Sequence, residues 1–138
     1  MLGLSQTAAY AVRAVLYIAA QPRQRSVRVA EIAAALELPP NYLSKTLHQL
    51  ARAGMLASAR GPSGGFRLSV PTEELTLQRV AATFAAQERQ RCLLGRGACG
   101  REPGCAVHAR WAPVAAQLHD FFGTTTVADL LPTRHNTP

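Results

Sequence analysis

Asn41-Tyr42-Leu43-Ser44-Lys45-Thr46-Leu47-His48-Gln49-Leu50-Ala51-Arg52-Ala53-Gly54, with the run from Met55 to Val70 that follows it, decides how this chain folds. Leu43, Leu47 and Leu50 recur at helical spacing, so a helix over about 41–53 turns one apolar face inward. Asn41, Ser44, Lys45, His48 and Arg52 fall at i, i+3, i+4, i+7 and i+11 and make the other face. That face offers donors, acceptors and two cations but no carboxylate. An ordinary solvated helix can look the same, so its flanks carry the argument. Gly54 stands where a helix commonly ends in a left-handed residue.

Upstream, Val29, Ile32, Ala33 and Leu36 form a second helical stripe, stopped by Leu38-Pro39-Pro40. Pro40 suits the first position of the next helix, where a missing N–H costs nothing. Two short helices joined by a brief turn, the second with a polar basic face, describe a helix-turn-helix. Downstream, Met55 to Arg60 and Phe66 to Val70 alternate around Gly61-Pro62-Ser63-Gly64-Gly65. That pattern predicts a β-hairpin. A hairpin directly after a helix-turn-helix is the wing of a winged helix, and Arg60 and Arg67 flank its tip. The glycine-rich turn lacks the Lys-Ser/Thr of a phosphate loop and leads into a strand, which argues against a nucleotide-binding enzyme. Further upstream, Val12, Val15, Leu16 and Ala19 mark an amphipathic helix over Ser5 to Ala20, ended by Gln21-Pro22; Arg23 to Arg28 is a basic connector.

The 138 residues carry a net charge of +7. Residues 1–70 hold eight basic groups against Glu31 and Glu37, or +6, and residues 71–138 hold seven against six, or +1. The positive field thus belongs to the half with the helix-turn-helix, as expected of a surface that meets phosphate. A hydrophobic content of 48% is that of a globular chain. The apolar run Ala14 to Ala20 is too short to span a membrane, and no signal peptide is evident. The expectation is a cytoplasmic protein with no membrane partner and no small-molecule substrate.

The second half begins with a linker at Pro71–Glu74, followed by an amphipathic helix carrying Leu77, Val80, Ala81 and Phe84. A last, longer helix carries apolar residues at Val107, Trp111, Val114, Ala115, Leu118 and Phe122. That stripe is broader than a small winged domain needs, and predicts a dimer interface with Trp111 and Leu118 as anchors. Intrachain core is the competing use of the same stripe. Pro113 lies in the first turn of this helix or kinks it. The fold class is mainly α with a small β-hairpin wing: a winged helix-turn-helix domain plus a long C-terminal dimerisation helix. Its parts are the winged region 1–72, a connecting helix 73–91, a cysteine-rich loop 92–108, the dimerisation helix and terminal turn 106–131, and a loose tail 132–138.

All three cysteines lie between Cys92 and Cys105, at Cys92, Cys99 and Cys105, and His108 follows the last at i+3. Thiolate and imidazole are the donors of iron–sulfur clusters and of zinc. The intervening glycines allow backbone to approach a bulky centre. An odd cysteine count argues against a disulfide framework. Gaps of six and five residues lack the tight Cys-x-x-Cys knuckle common in zinc sites. Neighbouring Arg91, Arg96 and Arg101 would also suit a thiol-based redox switch, so cluster, thiol switch and zinc all stand at this point.

Across Leu4 to Leu131 the chain resembles the Rrf-type family of winged-helix transcription regulators typified by IscR and NsrR. The resemblance is carried by Tyr10-Ala11-Val12-Arg13-Ala14, Asn41-Tyr42-Leu43, Leu50-x-x-Ala53-Gly54 and, most specifically, Arg60-Gly61-Pro62-Ser63-Gly64-Gly65-Phe66. It implies homodimers, double-stranded promoter DNA, and an iron–sulfur cluster on Cys92, Cys99 and Cys105. Some NsrR-like members supply an aspartate near the N-terminus as a ligand. Here Ala8 is in that vicinity and no carboxylate precedes Glu31, which favours His108 as the fourth ligand; this leaves both 2Fe–2S and 4Fe–4S open, and 2Fe–2S is the centre expected first. The first gap, at six residues, is one longer than is usual in the members compared. The DNA-facing residues are then Asn41, Tyr42, Ser44, Lys45, His48, Arg52, Arg60 and Arg67. The function expected is a non-enzymatic transcription regulator, read as a repressor, whose cluster responds to redox stress, nitric oxide or iron–sulfur status. The alternatives are a cluster-free factor controlled by thiols or a partner, and a small iron–sulfur or zinc redox protein. The basic helix and the wing argue against the latter.

Overall fold

Ser5 sits just before the apolar-periodic run of the first helix, and its hydroxyl accepts from the Ala8 N–H at 3.2 Å in a computed structural model of the chain. The structure describes residues 3–22, 25–62, 64–84, 93–94 and 105–132. Helix α1 (Gln6–Ala20) is central because its buried positions Ala8, Ala11, Val12, Ala14, Val15 and Ile18 are mostly small, so neighbours pack close. Helices α2 (Val29–Leu36) and α3 (Pro40–Arg52) both lie against it and against each other. Ile32 of α2 and Leu43, Leu47 and Leu50 of α3 have no exposed surface. The expected helix-turn-helix is present, with Pro40 at the start of α3.

The end of α3 fixes where the wing begins. Gly54 takes φ +82; its N–H donates to Ala51 O at 3.1 Å, and Met55 N–H donates to Leu50 O at 3.0 Å. This paired capping turns the chain sharply and brings buried Met55 against buried Leu50. Strands β1 (Leu56–Ala59) and β2 (Gly65–Leu68) then pair antiparallel, with Ala59 opposite Gly65 and Leu56 opposite Leu68. On its other edge β2 meets Val27, through Val27 N–H to Phe66 O and Phe66 N–H to Val27 O, both 2.8 Å. The wing is thereby tied to the connector between α1 and α2. Phe66 on β2 points into the core, 4% exposed, while Arg67 points out.

Helix α4 (Leu77–Ala82) is capped by Thr76, whose hydroxyl accepts from Arg79 N–H at 3.2 Å. It is shorter than the connecting helix expected over 73–91, beginning only after a turn at Pro71–Glu74; residues 85–92 lie outside the described part. Helix α5 (His108–Thr124) contains Pro113 in its interior, so the helix passes through the proline and the Ala109 carbonyl loses its usual donor. Helix α6 (Val127–Leu130) follows with a reciprocal cap between Thr126 and Asp129. That cap holds the Asp129 carboxyl below its ordinary range, chiefly through the Thr126 N–H. The turn between α5 and α6 is stitched to the start of α4: Leu77 N–H donates to Thr125 O at 2.9 Å and Val127 N–H to Leu75 O at 2.8 Å. Val127 and Leu75 are fully buried, so the C-terminal turn belongs to the winged core.

Candidate nucleic-acid interface and cysteine loop

The eight cations of the first seventy residues separate into two groups by what they touch, with Arg23 outside the described residues. Arg13 Nη2 donates to Leu36 O at 3.0 Å, a cation on the carbonyl end of α2. Arg25 pairs with Glu31 at 2.7 Å, and the same carboxylate accepts from the Tyr17 hydroxyl at 3.1 Å. The Arg25 guanidinium is the main reason the Glu31 carboxyl is held below its ordinary value, with Tyr17 adding to it against the cost of desolvation. Burial, then Glu31, pushes the Tyr17 phenol up. Arg28 reaches the wing turn. These three serve the fold.

Lys45, Arg52, Arg60 and Arg67 are exposed, and their side chains make no ion pair or hydrogen bond with the described residues. Two stand on α3 and two on the wing. On α3, Asn41, Lys45, His48 and Arg52 are exposed and Ser44 is half-buried, so the polar face inferred from spacing is the face turned outward. The His48 ring meets Phe66 of β2 edge-on, with centroids 5.2 Å apart, which places the outer face of α3 beside the wing. Tyr42 lies to one side of that face. It is 40% exposed, sits edge-on to Tyr10 at 5.8 Å, and its hydroxyl is hydrogen-bonded to that of Thr7.

Three further residues border this surface. Gln49 is exposed on the same helix as Lys45 and His48, and its side-chain amide carries both a donor and an acceptor. Its one signal in the sequence is its place on the rim of the polar arc. Arg25 and Arg28 line a polar crevice of about 540 Å³ beneath the wing, together with Glu31, Pro62 and Arg67. Their basic character is visible in the sequence, but their partners are not.

Of the four ligand candidates, Cys105 and His108 are described and both are half-buried. His108 N–H donates to Cys105 O at 3.2 Å, a single turn that brings the thiol and the imidazole to the same end of α5. Cys92 and Cys99 lie outside the described residues. Among the described residues no group of three or more metal-ligating side chains is assembled. The donor set, three thiols and one imidazole, fits a soft or borderline metal centre, and the Cys105–His108 turn is compatible with two donors converging on it.

The apolar stripe of helix α5 is partly covered by the described residues: Val107, Trp111, Leu118 and Phe122 are half-buried, and only Val114 of the stripe is exposed. Ala115 is buried and Phe122 packs on the core, whereas Val114 is 45% and Phe121 51% exposed. Phe121 was not in the stripe inferred from sequence; it lies on the outward edge of the same arc. Among the described residues no helix is long and apolar enough to cross a membrane.

Comparison with known proteins agrees with this architecture. The family described as "Rrf2: Iron-dependent Transcriptional regulator" matches residues 4–133. A protein of Aquifex aeolicus named as an HTH-type transcriptional regulator is 35% identical over 130 residues, spanning 92% of this chain and 90% of its own. The HTH-type transcriptional regulator IscR of Vibrio campbellii is 30% identical over 129 residues, 93% of this chain and 76% of its own. Among solved structures, CymR (YrzC), the global cysteine regulator of B. subtilis, superposes with a TM-score of 0.80 at 22% identity, covering 94% of this chain and 96% of that one.

Proposed function

Because the chain belongs to the Rrf2 family of transcriptional regulators, we propose that it binds promoter DNA as a homodimer, through α3 and the wing, under the control of an iron–sulfur cluster. The observation that carries the DNA reading is the sorting of the cations. Those that serve the fold are paired, and the side chains of Lys45, Arg52, Arg60 and Arg67 are left unpaired among the described residues, on two adjoining elements. On this reading Asn41, Ser44, His48 and Gln49 enter the major groove. Lys45, Arg52 and Arg67 meet phosphate, Arg60 reads a base edge from the wing tip, and Tyr42 braces the start of α3.

The cluster would be held by Cys92, Cys99, Cys105 and His108, with 2Fe–2S favoured by the imidazole donor. When bound, it supplies a redox-labile centre whose loss frees its ligands. Cys105 and His108 would transmit its presence to the first turn of α5, and the exposed Val114 and Phe121 of that helix would face the second copy. Iron dependence in the matching family's description supports this reading, as does the donor set.

Absorbance of protein purified without oxygen tests it, together with operator affinity before and after cluster loss. Replacing any one cysteine by alanine is expected to abolish the visible chromophore and to give the operator affinity of cluster-free protein. His108→Ala is expected to shift the spectrum or make the cluster labile. Anaerobically reconstituted protein that stays colourless while binding zinc tightly refutes cluster sensing. A cluster whose loss leaves operator affinity unchanged refutes the coupling alone.

A further inference from the structure

Helix α2 starts in an unusual way. Its N-cap is Arg28, which makes no side-chain cap hydrogen bond. Serine, threonine or aspartate would satisfy an orphan N–H there, and a cation is set against the positive end of the helix. The guanidinium is used elsewhere. Its Nη2 donates across a sequence separation of 34 to the Pro62 carbonyl, and lies 3.5 Å from the carbonyl of Gly61. Gly61 O also accepts from Gly64 N–H at 2.9 Å, so the wing turn is closed on itself and then clasped by Arg28. The preceding residue, Val27, pairs its backbone with Phe66. One short connector therefore holds the wing along β2 by backbone and at its turn by a side chain. The neighbouring Arg25 is occupied by Glu31, which leaves Arg28 as the group that spans from α2 to the tip.

We propose that Arg28 is a positioning residue for DNA binding: it fixes the attitude of the wing tip so that Arg60 is presented in one orientation, and it does not itself neutralise a phosphate. The inference rests on the wing being a DNA-binding element. A planar guanidinium donating to neighbouring carbonyls restrains orientation as well as distance, which a flexible ammonium does not. Its effect on affinity is one of preorganisation. If the released wing holds the competent attitude about a tenth of the time, affinity falls about ten-fold.

The test uses Arg28→Thr, chosen because threonine is a good N-cap and should leave α2 at least as stable. Two readouts are taken on full-length protein. In the first, trypsin cleavage of the Arg60–Gly61 bond is followed by mass spectrometry without DNA, and the variant is expected to be cut several-fold faster at an unchanged or raised thermal midpoint. In the second, duplex affinity is measured across a salt series and is expected to fall about ten-fold with the slope unchanged, because no phosphate contact has gone. Equal cleavage of the two proteins overturns the clasp. Weaker binding with a shallower salt slope and unaltered cleavage overturns it too, by assigning Arg28 to phosphate. Cleavage involves no DNA. Were the wild type to bind no duplex, the regulatory reading would fall, while faster cutting of the variant would still support the clasp.

Discussion

Gly65 is the residue on which the seating of the wing most depends, and Gly65→Ala measures it. The glycine takes φ +136, a region that side-chain-bearing residues avoid, at an expected cost of about 1–3 kcal/mol. A Cβ there would lie 2.4 Å from Val27 O and 2.5 Å from Val27 C, atoms of backbone that cannot swing aside. Relief requires the Val27 segment to move, which breaks the two 2.8 Å hydrogen bonds between Val27 and Phe66. Each is worth about 1 kcal/mol net, so the variant should lose roughly 3–5 kcal/mol in all. Gly54→Ala is the internal control. It also sits at positive φ, +82, but nothing lies within 4 Å of its Cβ, so only the conformational cost of about 1–2 kcal/mol applies. Urea unfolding of both variants is the assay. Equal losses, or a larger loss at Gly54, would refute the close approach of β2 to the connector.

Further outcomes are expected at the interface and the surface. Lys45→Ala should weaken binding to all duplexes alike and reduce the salt slope by about one, whereas Arg60→Ala should cost about 1–3 kcal/mol and relax preference at one position. Unchanged affinity of an Arg60/Arg67 double alanine variant, measured by fluorescence anisotropy, removes the wing from the DNA surface. Phe121→Asp, alone or with Leu118→Asp, should yield monomers by sedimentation; an undisturbed dimer places the interface elsewhere. Glu31 has its folded-state pKa lowered, so its contribution to stability is full above its ordinary value of 4.5 and is lost as pH falls through the lower folded value. Glu31→Gln should accordingly flatten the acid limb of the stability profile below that pH, and an acid limb identical to wild type's sinks the assignment.

What could be read from the sequence was what depends on residues a few positions apart. The polar arc of α3 repeats every turn, so Asn41, Lys45, His48 and Arg52 were legible as one face, and Gly54 as a helix stop followed at once by a strand. The two alternating runs predicted the hairpin for the same reason. What stayed hidden depends on residues far apart in the chain. Arg28 meets Pro62, Val27 pairs with Phe66, and Leu75 receives Val127. No periodicity encodes such pairings. Helix α5 shows the limit within a single element. Its apolar arc is shared between the chain's own core and an uncovered side, and a wheel cannot say which edge faces in. Phe122 turns to the core and Phe121 to the outside, though the stripe inferred from spacing contained only Phe122.

The C-terminal end of α5 is joined to the winged core and its N-terminal end carries two of the ligand candidates, and this bears on how the cysteine loop would act at a distance. The C-terminal end is fixed: Thr125 accepts from Leu77, Val127 donates to Leu75, and Thr126 pairs with Thr76 on the floor of the winged core. The N-terminal end begins at the Cys105–His108 turn. Seventeen residues of helix span about 25 Å, so a tilt of about 5° about the fixed end moves the ligand-bearing end by about 2 Å. Shifts of that size at a helix interface are enough to switch packed assemblies between discrete arrangements. On the proposed reading, occupancy at Cys105 and His108 sets the angle at which α5 leaves the core, and its outward face, Val114 and Phe121, carries that angle to the second copy. Since α5 is pinned to the start of α4 and α4 packs on α1, which also supports α3, the spacing of two recognition helices in the proposed dimer would change with the angle while each winged domain stayed intact. The coupling therefore needs no rearrangement within the DNA-binding face, and a coupling energy of about 1–3 kcal/mol, or 5- to 150-fold in affinity, is of the size such a shift supplies.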